Sequence, residues 1–322
     1  MPRPGVSMPR QRRVLLAACL ALAVLCAACT GSGSHGSPQA SAGRAAATIT
    51  VGSFDFPESV LLAHIYAGAL AAKGFPVRVL PDLGTRELVD PALMNGLIQL
   101  VPEYTGSALD FLSLGRLGGT SNAAATYRSL TRSAERRGLV AARPAPAQDA
   151  NAIVVTAATA ARYHLRSIAD LLKVAPSLVF GGPPECQERA DCLLGLKRTY
   201  GLRFKTFVAT DTGGPLTLQA LDAGQIGAAL LFTTDPGIAA RHLVILADSR
   251  ALQPAENITP LVSRDAVARY GAGLMAVLNT VSARLDSASL RALNAQVEET
   301  GRAPRQVADS WLRAHGLISG GG

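Results

Sequence analysis

Residues 96–107 read GLIQLVPEYTGS, and this stretch decides the fold class. The short apolar run Leu97–Val101 is typical of a buried strand, and Pro102 closes it. Tyr104 and Ser107 then lie on either side of a glycine, where the next segment begins. An α/β sheet commonly presents a small-molecule site in this way, at the carboxyl end of a strand and the opening of a helix. The stretch therefore predicts an α/β fold with a binding site beside Tyr104.

The chain beyond its N-terminal segment alternates apolar strand patterns with helix patterns. This alternation predicts parallel sheets built from βαβ units, over a length that suits two domains. A Pro/Ala-rich crossing at Ala141–Asp149 separates two such series, and the chain returns through Thr233–Pro236. We therefore predict two α/β lobes with a hinge and an interlobe cleft. Residues 48–149 plus 233–322 form lobe one, and residues 150–232 form lobe two.

The N-terminal segment predicts export. Three arginines within residues 10–13 precede the apolar run Val14–Ala28, which ends in small residues before Cys29. A positive flank, a short apolar core and a small-residue exit are typical of a signal peptide, here residues 1–28. The run is shorter than the ~20 residues that a membrane-spanning helix needs. Residues 29–47 are rich in Gly, Ser and Ala, and this composition predicts a flexible tether.

Charge and motif patterns argue against several classes of protein. The formal charge of +8 falls to +4 once the four arginines of residues 1–28 are removed. The remaining basic residues form no stripe interleaved with aromatic residues, so we predict no nucleic-acid partner. The five histidines have no metal-ligand spacing, and the chain contains neither a G-x-S-x-G elbow nor a P-loop. We therefore predict a protein that is not an enzyme, with no metal site and no cofactor.

Cys186 and Cys192 are the two cysteines that remain after the N-terminal segment. Two close thiols in an exported, oxidising compartment predict a local disulfide. The competing interpretation is a metal pair, but two thiolates without a nearby histidine or a further cysteine make a poor zinc site. The disulfide would shape the segment around Arg189.

Six short segments occur in the order in which they occur in a known family. They are, in chain order, Val51–Ser59, Leu83–Leu88, Pro102–Gly106, Gly181–Glu185, Asp211–Leu216 and Phe232–Asp235. From about residue 48 to its C-terminus the chain resembles the substrate-binding proteins of osmoprotectant ABC importers, the binders of glycine betaine, choline and proline betaine. The resemblance implies a type II periplasmic-binding-protein fold and an ABC permease as partner. It also implies capture, without chemistry, of a quaternary ammonium or a related small polar solute.

The residues before the tether resemble a bacterial lipobox. In Ala27-Ala28-Cys29 the cysteine would be acylated and become the first residue of the mature protein. This resemblance implies a protein that a lipid on Cys29 anchors to the cell membrane, on its extracytoplasmic face. Cys26 departs from the pattern, which prefers leucine there. A secreted protein cut near Ala28 is the alternative.

The family resemblance also implies several ligand-binding residues. Tyr104 and Phe232 match aromatic residues of the cage that holds a quaternary ammonium group. Arg189 matches an arginine that meets the ligand's carboxylate. Asn151 and Glu256 stand where the family carries further aromatic residues, which predicts a more polar pocket.

Polar residues at the strand ends of lobe one complete the predicted site. They are Ser53, Asp55, Arg86 and Ser107. An ion pair between Asp55 and Arg86 is an equal alternative to ligand contact for both. A packing or surface role is the alternative for Tyr104, Phe232 and Arg189. Two other classes of function stay open: a sensory or structural envelope lipoprotein with a degenerate cleft, and an exported enzyme.

Overall fold

The computed structural model describes residues 48–319, and its strands form two five-stranded sheets. In chain order the strands of the described residues are β1 (Ile49–Gly52), β2 (Val77–Leu80), β3 (Leu100–Tyr104), β4 (Leu139–Ala141), β5 (Asn151–Val155), β6 (Val179–Gly182), β7 (Thr206–Ala209), β8 (Ala228–Phe232), β9 (Val244–Ile245) and β10 (Ile258–Ser263). The predicted signal peptide, tether and lipidation site at Cys29 lie outside the described residues.

The helices of the described residues cover the faces of the sheets. In chain order they are α1 (Pro57–Ala72), α2 (Arg86–Met94), α3 (Thr105–Ser113), α4 (Ala123–Arg136), α5 (Ala157–Tyr163), α6 (Leu193–Tyr200), α7 (Pro215–Asp222), α8 (Pro236–Ala240), α9 (Arg264–Ser282), α10 (Ser287–Glu298) and α11 (Pro304–Ala314). Short 3₁₀ helices lie at Ile168–Lys173, Ala175–Ser177 and Pro184–Gln187. Helix α9 is broken at Gly271, whose positive φ of 64° suits glycine.

The strand order is β2-β1-β3-β10-β4 in the first sheet and β7-β6-β8-β5-β9 in the second. We call each sheet with its helices lobe one and lobe two, respectively. Our prediction of parallel sheets is confirmed for the pairs among β1, β2 and β3 and among β6, β7 and β8. It is wrong for β10 and β5, which run antiparallel to both of their neighbours. Each of these strands follows a crossing between the lobes. The chain therefore enters each sheet on the side where the parallel strands end. The entering strand must then run in the direction opposite to its neighbours.

Strand β3 is displaced from its predicted position. We expected a strand over Leu97–Val101, but the strand covers Leu100–Tyr104, and Leu97 is 71% exposed. The antiparallel partner sets this register, since Ile258 lies opposite Tyr104 and Val262 opposite Leu100. Tyr104 is consequently the last residue of a buried strand, and α3 begins directly after it.

The cores of the two lobes are separate and differ in kind. Lobe one has one large cluster of buried side chains, which includes Tyr66 and Trp311. In lobe two the interior strand β5 alternates between two clusters, because successive side chains of a strand point to opposite faces. Ile153 belongs to the cluster on one face, and Val154 belongs to the cluster on the other.

The chain remains in lobe two beyond the predicted boundary at residue 233. Strand β9 pairs with β5 in the second sheet, and its neighbours Leu243 and Leu246 are buried in the clusters of lobe two. The sequence predicted that the chain returns to lobe one at Thr233–Pro236. The pairing of β9 with β5, which joins residues about 90 positions apart, keeps this segment in lobe two.

Candidate functional site

A cleft of about 520 Å³ lies where strand ends of both lobes meet. Tyr104 ends β3 and Phe232 ends β8, and both line it. Asn151 begins β5, and Glu256 lies two residues before β10. The two antiparallel strands thus start at the cleft where the parallel strands finish, so all of them contribute residues to one site.

Eight of the nine predicted ligand-binding residues line this cleft. They are Asp55, Arg86, Tyr104, Ser107, Asn151, Arg189, Phe232 and Glu256. Ser53 does not line it, and we correct that prediction. The Ser53 hydroxyl is fully buried, donates to the carbonyl of Phe54 at 2.9 Å and accepts from the amide of Asp82 at 3.0 Å. Ser53 therefore shapes the turn after β1 and is out of a ligand's reach.

One wall of the cleft is a row of four aromatic rings, which we call the aromatic row: Phe54, Phe56, Tyr104 and Phe232. The rings of Phe54 and Phe56 stack with centroids 5.9 Å apart and an interplanar angle of 8°. Phe56 also lies 6.0 Å from Tyr104 and 5.8 Å from Phe232. Phe56 is therefore the ring at the junction, and through Phe232 it connects lobe one with lobe two.

Sequence reasoning missed Phe54 and Phe56, although a signal was present. The two residues lie two positions apart in the segment between β1 and Pro57, where α1 begins. The backbone of Phe56 is extended, and in extended chain residues two apart point to the same side. A Phe-x-Phe pair at the carboxyl end of a strand predicts two rings on one wall of the site.

Arg86 does not pair with Asp55, so that alternative is wrong. The Arg86 guanidinium donates to both carboxylate oxygens of Glu103, from Nε at 2.7 Å and from Nη2 at 3.0 Å. It also lies 5.0 Å from the centroid of the Phe54 ring. Burial acts to lower the pKa of Arg86, but the charge and the hydrogen bond of Glu103, together with the charges of Asp90 and Glu256, outweigh burial and raise that pKa. Arg86 thus remains charged, and Glu103 balances its charge.

Glu256 holds the start of α3. One carboxyl oxygen accepts from the amides of Gly106 at 2.8 Å and Ser107 at 3.1 Å, and the other accepts from the Ser107 hydroxyl at 2.8 Å. These bonds satisfy amides that the first turn of a helix leaves unpaired. Burial raises the pKa of Glu256 to about 8, although the bonds from Ser107 oppose that rise. Glu256 therefore presents a carboxyl group to the cleft and anchors the segment that follows Tyr104.

Asn151 is bound to the loop that the disulfide closes. Its side-chain amide donates to the carboxylate of Asp191 at 3.0 Å and to the backbone carbonyl of the same residue at 3.3 Å. Cys186 and Cys192, which bracket this loop, are joined by a disulfide with their Cα atoms 5.2 Å apart. Asp191 itself lines the cleft, and nothing in the sequence pattern had pointed to it.

Arg189 lies at the mouth of the cleft and bridges the lobes. Its guanidinium is 3.3 Å from the carboxylate of Glu87 in α2 of lobe one. It is also 3.5 Å from the carboxylate of Glu185 in its own lobe. Both contacts are partly exposed to solvent. Arg189 therefore has two carboxylate partners within the protein itself.

The hydroxyl of Tyr104 reaches past the cleft to a buried carboxyl group. It donates to Glu58 at 2.8 Å, and the other oxygen of Glu58 accepts from the Thr234 hydroxyl and the Asn294 amide, each at 2.6 Å. Thr234 belongs to the segment that crosses back from lobe two. The aromatic row is thus hydrogen-bonded to the crossing segment through Glu58.

Acidic side chains outnumber basic ones in the cleft lining. The acidic residues are Asp55, Asp149, Glu185, Asp191 and Glu256, and the basic residues are Arg86 and Arg189. Because both arginines already contact protein carboxylates, an aromatic and acidic surface remains. Such a surface attracts a positively charged group.

Two further observations concern the described residues as a whole. Within residues 48–319, no cluster of His, Cys, Asp and Glu is arranged to hold a metal ion. In the same range, no helix is both long and apolar enough to cross a membrane.

Comparison with known proteins adds an independent line of evidence. A family model described as the substrate binding domain of ABC-type glycine betaine transport systems matches residues 47–314. A glycine-betaine-binding protein of Pseudomonas aeruginosa is 29% identical over 306 residues, which cover 92% of this chain and 95% of that protein. The glycine betaine-binding protein YehZ of Escherichia coli K12 is 29% identical over 282 residues, 85% of this chain and 92% of that protein.

The fold has close counterparts among solved structures. The crystal structure of a glycine betaine/carnitine/choline ABC transporter matches with a TM-score of 0.67 and 21% identity, over 84% of this chain and all of that chain. At that identity the likeness concerns the fold. It confirms the predicted α/β fold of the type II periplasmic-binding-protein class.

Proposed function

Since the chain belongs to the family of substrate-binding domains of ABC-type glycine betaine transport systems, we propose that its cleft binds a quaternary ammonium solute. Family membership confirms the resemblance found in the sequence, and it makes the chain the extracytoplasmic solute-binding component of an ABC importer. The chemical class of the solute and the residues that hold it are the new part of the proposal. The protein binds its solute without chemistry and delivers it to the permease.

The aromatic row carries the proposal. A fully methylated ammonium group has no hydrogen to donate, so it is held by the faces of aromatic rings, at about 0.5–2 kcal/mol per contact. The Phe56 ring lies 6.0 Å from that of Tyr104 and 5.8 Å from that of Phe232, centroid to centroid, along one wall. Phe232 comes from lobe two and the other two from lobe one, so rings of both lobes are available to one solute on the same wall.

The charges in the cleft narrow the class of solute further. A zwitterion such as glycine betaine carries a carboxylate that needs an arginine or a free amide. Arg86 is occupied by Glu103, and Arg189 by Glu87 and Glu185. We therefore expect a solute with net positive charge, such as choline, to bind more tightly than glycine betaine.

A thermal-shift and calorimetry panel tests this function. The panel contains choline, glycine betaine and carnitine, with tetramethylammonium as a bare cation and glycerol as a neutral polyol. A ligand at one hundred times its Kd stabilises the folded protein by about 2.7 kcal/mol, which raises the melting temperature by several degrees. Stabilisation by choline above that by glycine betaine supports the proposal. If no quaternary ammonium compound shifts the melting temperature, a degenerate cleft on a sensory or structural lipoprotein becomes the better interpretation.

We propose further that Cys29 carries a lipid anchor. The support is the Ala27-Ala28-Cys29 pattern and the Gly/Ser-rich segment behind it. Mass spectrometry of the protein from the membrane fraction should find an acylated Cys29 at the mature N-terminus, and Cys29→Ala should prevent this processing. An unmodified Cys29 in the wild-type protein, together with unchanged membrane association, would exclude the anchor.

A further inference from the structure

Two buried carboxyl groups lie behind the aromatic row, where the chain crosses between the lobes. Glu58 is in the first turn of α1, and Asp149 lies two residues before β5. They are 4% and 5% exposed, respectively. Asp149 lines the cleft, and both residues line a smaller, open pocket next to it. Asp149 is thus the carboxyl group that faces both a ligand and Glu58.

The hydrogen bonds distinguish the two groups. Glu58 accepts three bonds, from the Tyr104 hydroxyl at 2.8 Å, the Thr234 hydroxyl at 2.6 Å and the Asn294 amide at 2.6 Å. Three donors on one carboxyl group favour its ionised form. One oxygen of Asp149 accepts from the amide of Thr234 at 3.0 Å and, more weakly, from the Thr233 hydroxyl at 3.3 Å.

The charged groups around the pair are mostly negative. Asp235, in the segment before α8, and Glu298, at the end of α10, interact electrostatically with Glu58, and the charge of Glu103 in β3 acts together with the pair on Tyr104. Among the described residues no ion pair involves Glu58 or Asp149, and Arg86 is already committed to Glu103. Asp235 is further influenced by Arg241 and Asp211.

The smaller pocket next to the cleft also contains acceptors that lack partners. Oδ2 of Asp235 and Oδ1 of Asn294 are buried without a hydrogen-bond partner among the described residues. Both residues line the smaller pocket together with Glu58 and Asp149. Asp235 is 7% exposed and Asn294 is 2% exposed. The region is therefore short of positive charge and of donors.

Two carboxylates this deeply buried beside each other cannot both be ionised near neutral pH. Burial, and next the charge of Glu58, raise the pKa of Asp149 well above its ordinary value. Burial also raises the pKa of Glu58, but the bonds from Thr234, Asn294 and Tyr104 oppose that rise. The proton consequently belongs on Asp149, and the negative charge on Glu58.

We propose that Glu58 and Asp149 hold one proton between them, and that a cation entering the cleft displaces this proton to the solvent. The inference rests on the proposed function, because it requires a positively charged solute. When the cation binds, the O–H bond of Asp149 breaks and its proton passes to a buffer base. The ammonium group then supplies the positive charge that the proton supplied before. The net charge of the site is unchanged.

This exchange makes the proton and the cation competitors for one site. Because linkage is reciprocal, a cation that lowers the proton affinity of Asp149 must itself bind more tightly as the pH rises. The affinity for choline should increase with pH by at most about tenfold per pH unit, the limit for release of one full proton. Tetramethylammonium should show the same slope, because it has no group that titrates.

Calorimetry of the full-length protein tests the proposal. Choline chloride is titrated at about pH 7 in phosphate, whose ionisation enthalpy is small, and in Tris, whose ionisation enthalpy is large. Released protons protonate the buffer, so the two heats differ in proportion to the number of protons released. We expect about 0.3–1 proton per choline for the wild-type protein. Asp149→Asn should abolish the difference, whereas Asp265→Asn, which removes an exposed carboxylate of α9 outside the cleft, should retain it.

The outcomes separate this proposal from the proposed function. Choline binding with equal heats in both buffers overturns the proton release and leaves the binding function intact. Absence of heat with choline, glycine betaine and tetramethylammonium overturns both. If Asp149→Asn fails to fold, Glu256→Gln decides the source of the proton, because Glu256 is another carboxyl group of the cleft whose pKa is raised. Proton release that persists in this variant supports the pair, whereas its loss overturns the proposal.

Discussion

The two arginines of the cleft show how differently the lobes contribute to the site. Arg86, in lobe one, has a side chain only 11% exposed and makes two short, parallel bonds to Glu103, which is fully buried. Arg189, in lobe two, is 28% exposed and makes longer contacts with two partly exposed carboxylates. A buried, bidentate ion pair holds its two side chains in one geometry. An exposed ion pair is screened by water, so its side chains change partners readily.

This difference indicates that lobe one forms a rigid wall of the cleft and that lobe two forms an adjustable one. Lobe one presents Phe54, Phe56 and Tyr104 on a rigid frame of buried hydrogen bonds. Lobe two presents Arg189 and the disulfide loop at the cleft mouth, where contacts can break as the lobes open. The variants below test that contrast, from the largest expected effect to the smallest.

Removal of Arg86 should have the largest effect. Arg86→Met leaves the fully buried Glu103 without its partner, and loss of one member of a buried pair costs about 3–5 kcal/mol. Urea unfolding should show this loss. The double variant Arg86→Met/Glu103→Met is the matched control and should recover most of the stability, because it leaves no buried charge unpaired. A loss under about 1 kcal/mol in the single variant would mean that this wall is less rigid than we infer.

Replacement of one ring in each lobe compares the two walls directly. Phe56→Leu and Phe232→Leu keep apolar volume but remove the π face. Each should weaken choline binding by about 0.5–2 kcal/mol, measured by calorimetry. Phe56→Leu should cost more, because Phe56 contacts three other rings and Phe232 contacts one ring of the row. Equal affinities of both variants and the wild type would place the ammonium group elsewhere.

Asp90 should make the stability of lobe one depend on pH. It is fully buried beside Glu103, and burial and then the charge of Glu103 raise its pKa well above the ordinary value. A raised native pKa means that the folded protein binds more protons than the unfolded chain. The free energy of unfolding therefore falls as pH rises above the unfolded pKa of about 3.9.

Asp90→Asn removes that proton and so removes the dependence. From about pH 5 to pH 7 the variant should gain about 1–2 kcal/mol relative to the wild type, in urea unfolding at the two pH values. Parallel stability curves for variant and wild type would show that Asp90 is not the group that carries the proton.

Arg189→Gln should have the smallest effect on stability. Exposed ion pairs contribute about 0–1 kcal/mol, so its free energy of unfolding should stay within about 0.5 kcal/mol of wild type. Choline should dissociate a few times faster in stopped-flow measurements at low salt, because a bridge across the cleft mouth is lost, and the difference should shrink at high salt. Arg241→Gln removes an exposed pair with Asp222 and serves as the control, with unchanged dissociation. An equal change in both variants would show a general charge effect.

Local sequence patterns predicted most elements that bury a regular face, but not β10. Ile258–Ser263 contains Pro260, which argues against a central strand because proline has no amide hydrogen. Pro260 lies opposite Pro102, and its carbonyl faces away from β3 and accepts from the amide of Ala142. Pro102 and Pro260 therefore cost each other no hydrogen bond. This compensation joins two residues that lie 158 positions apart in the chain.

Among the candidate site residues, those that sequence reasoning located share a local signal. Tyr104 and Phe232 follow apolar runs, and such positions lie at strand ends whatever the rest of the fold does. Glu58, by contrast, looks like an ordinary acidic residue in a first helical turn. Its role depends on Tyr104, Thr234 and Asn294, which the fold brings to it from three separate segments.

The sequence by itself determined the α/β class, the positions of most strands and helices, and the presence of aromatic and polar residues at the strand ends. Periodicity and turn residues act over a few neighbours, so they can be seen in one dimension. The tertiary structure alone decided which charges meet. It paired Arg86 with Glu103 instead of Asp55, and it turned Glu256 toward the amides of α3. Ion pairs and helix caps depend on distances of a few ångström, and the packing of distant segments sets those distances.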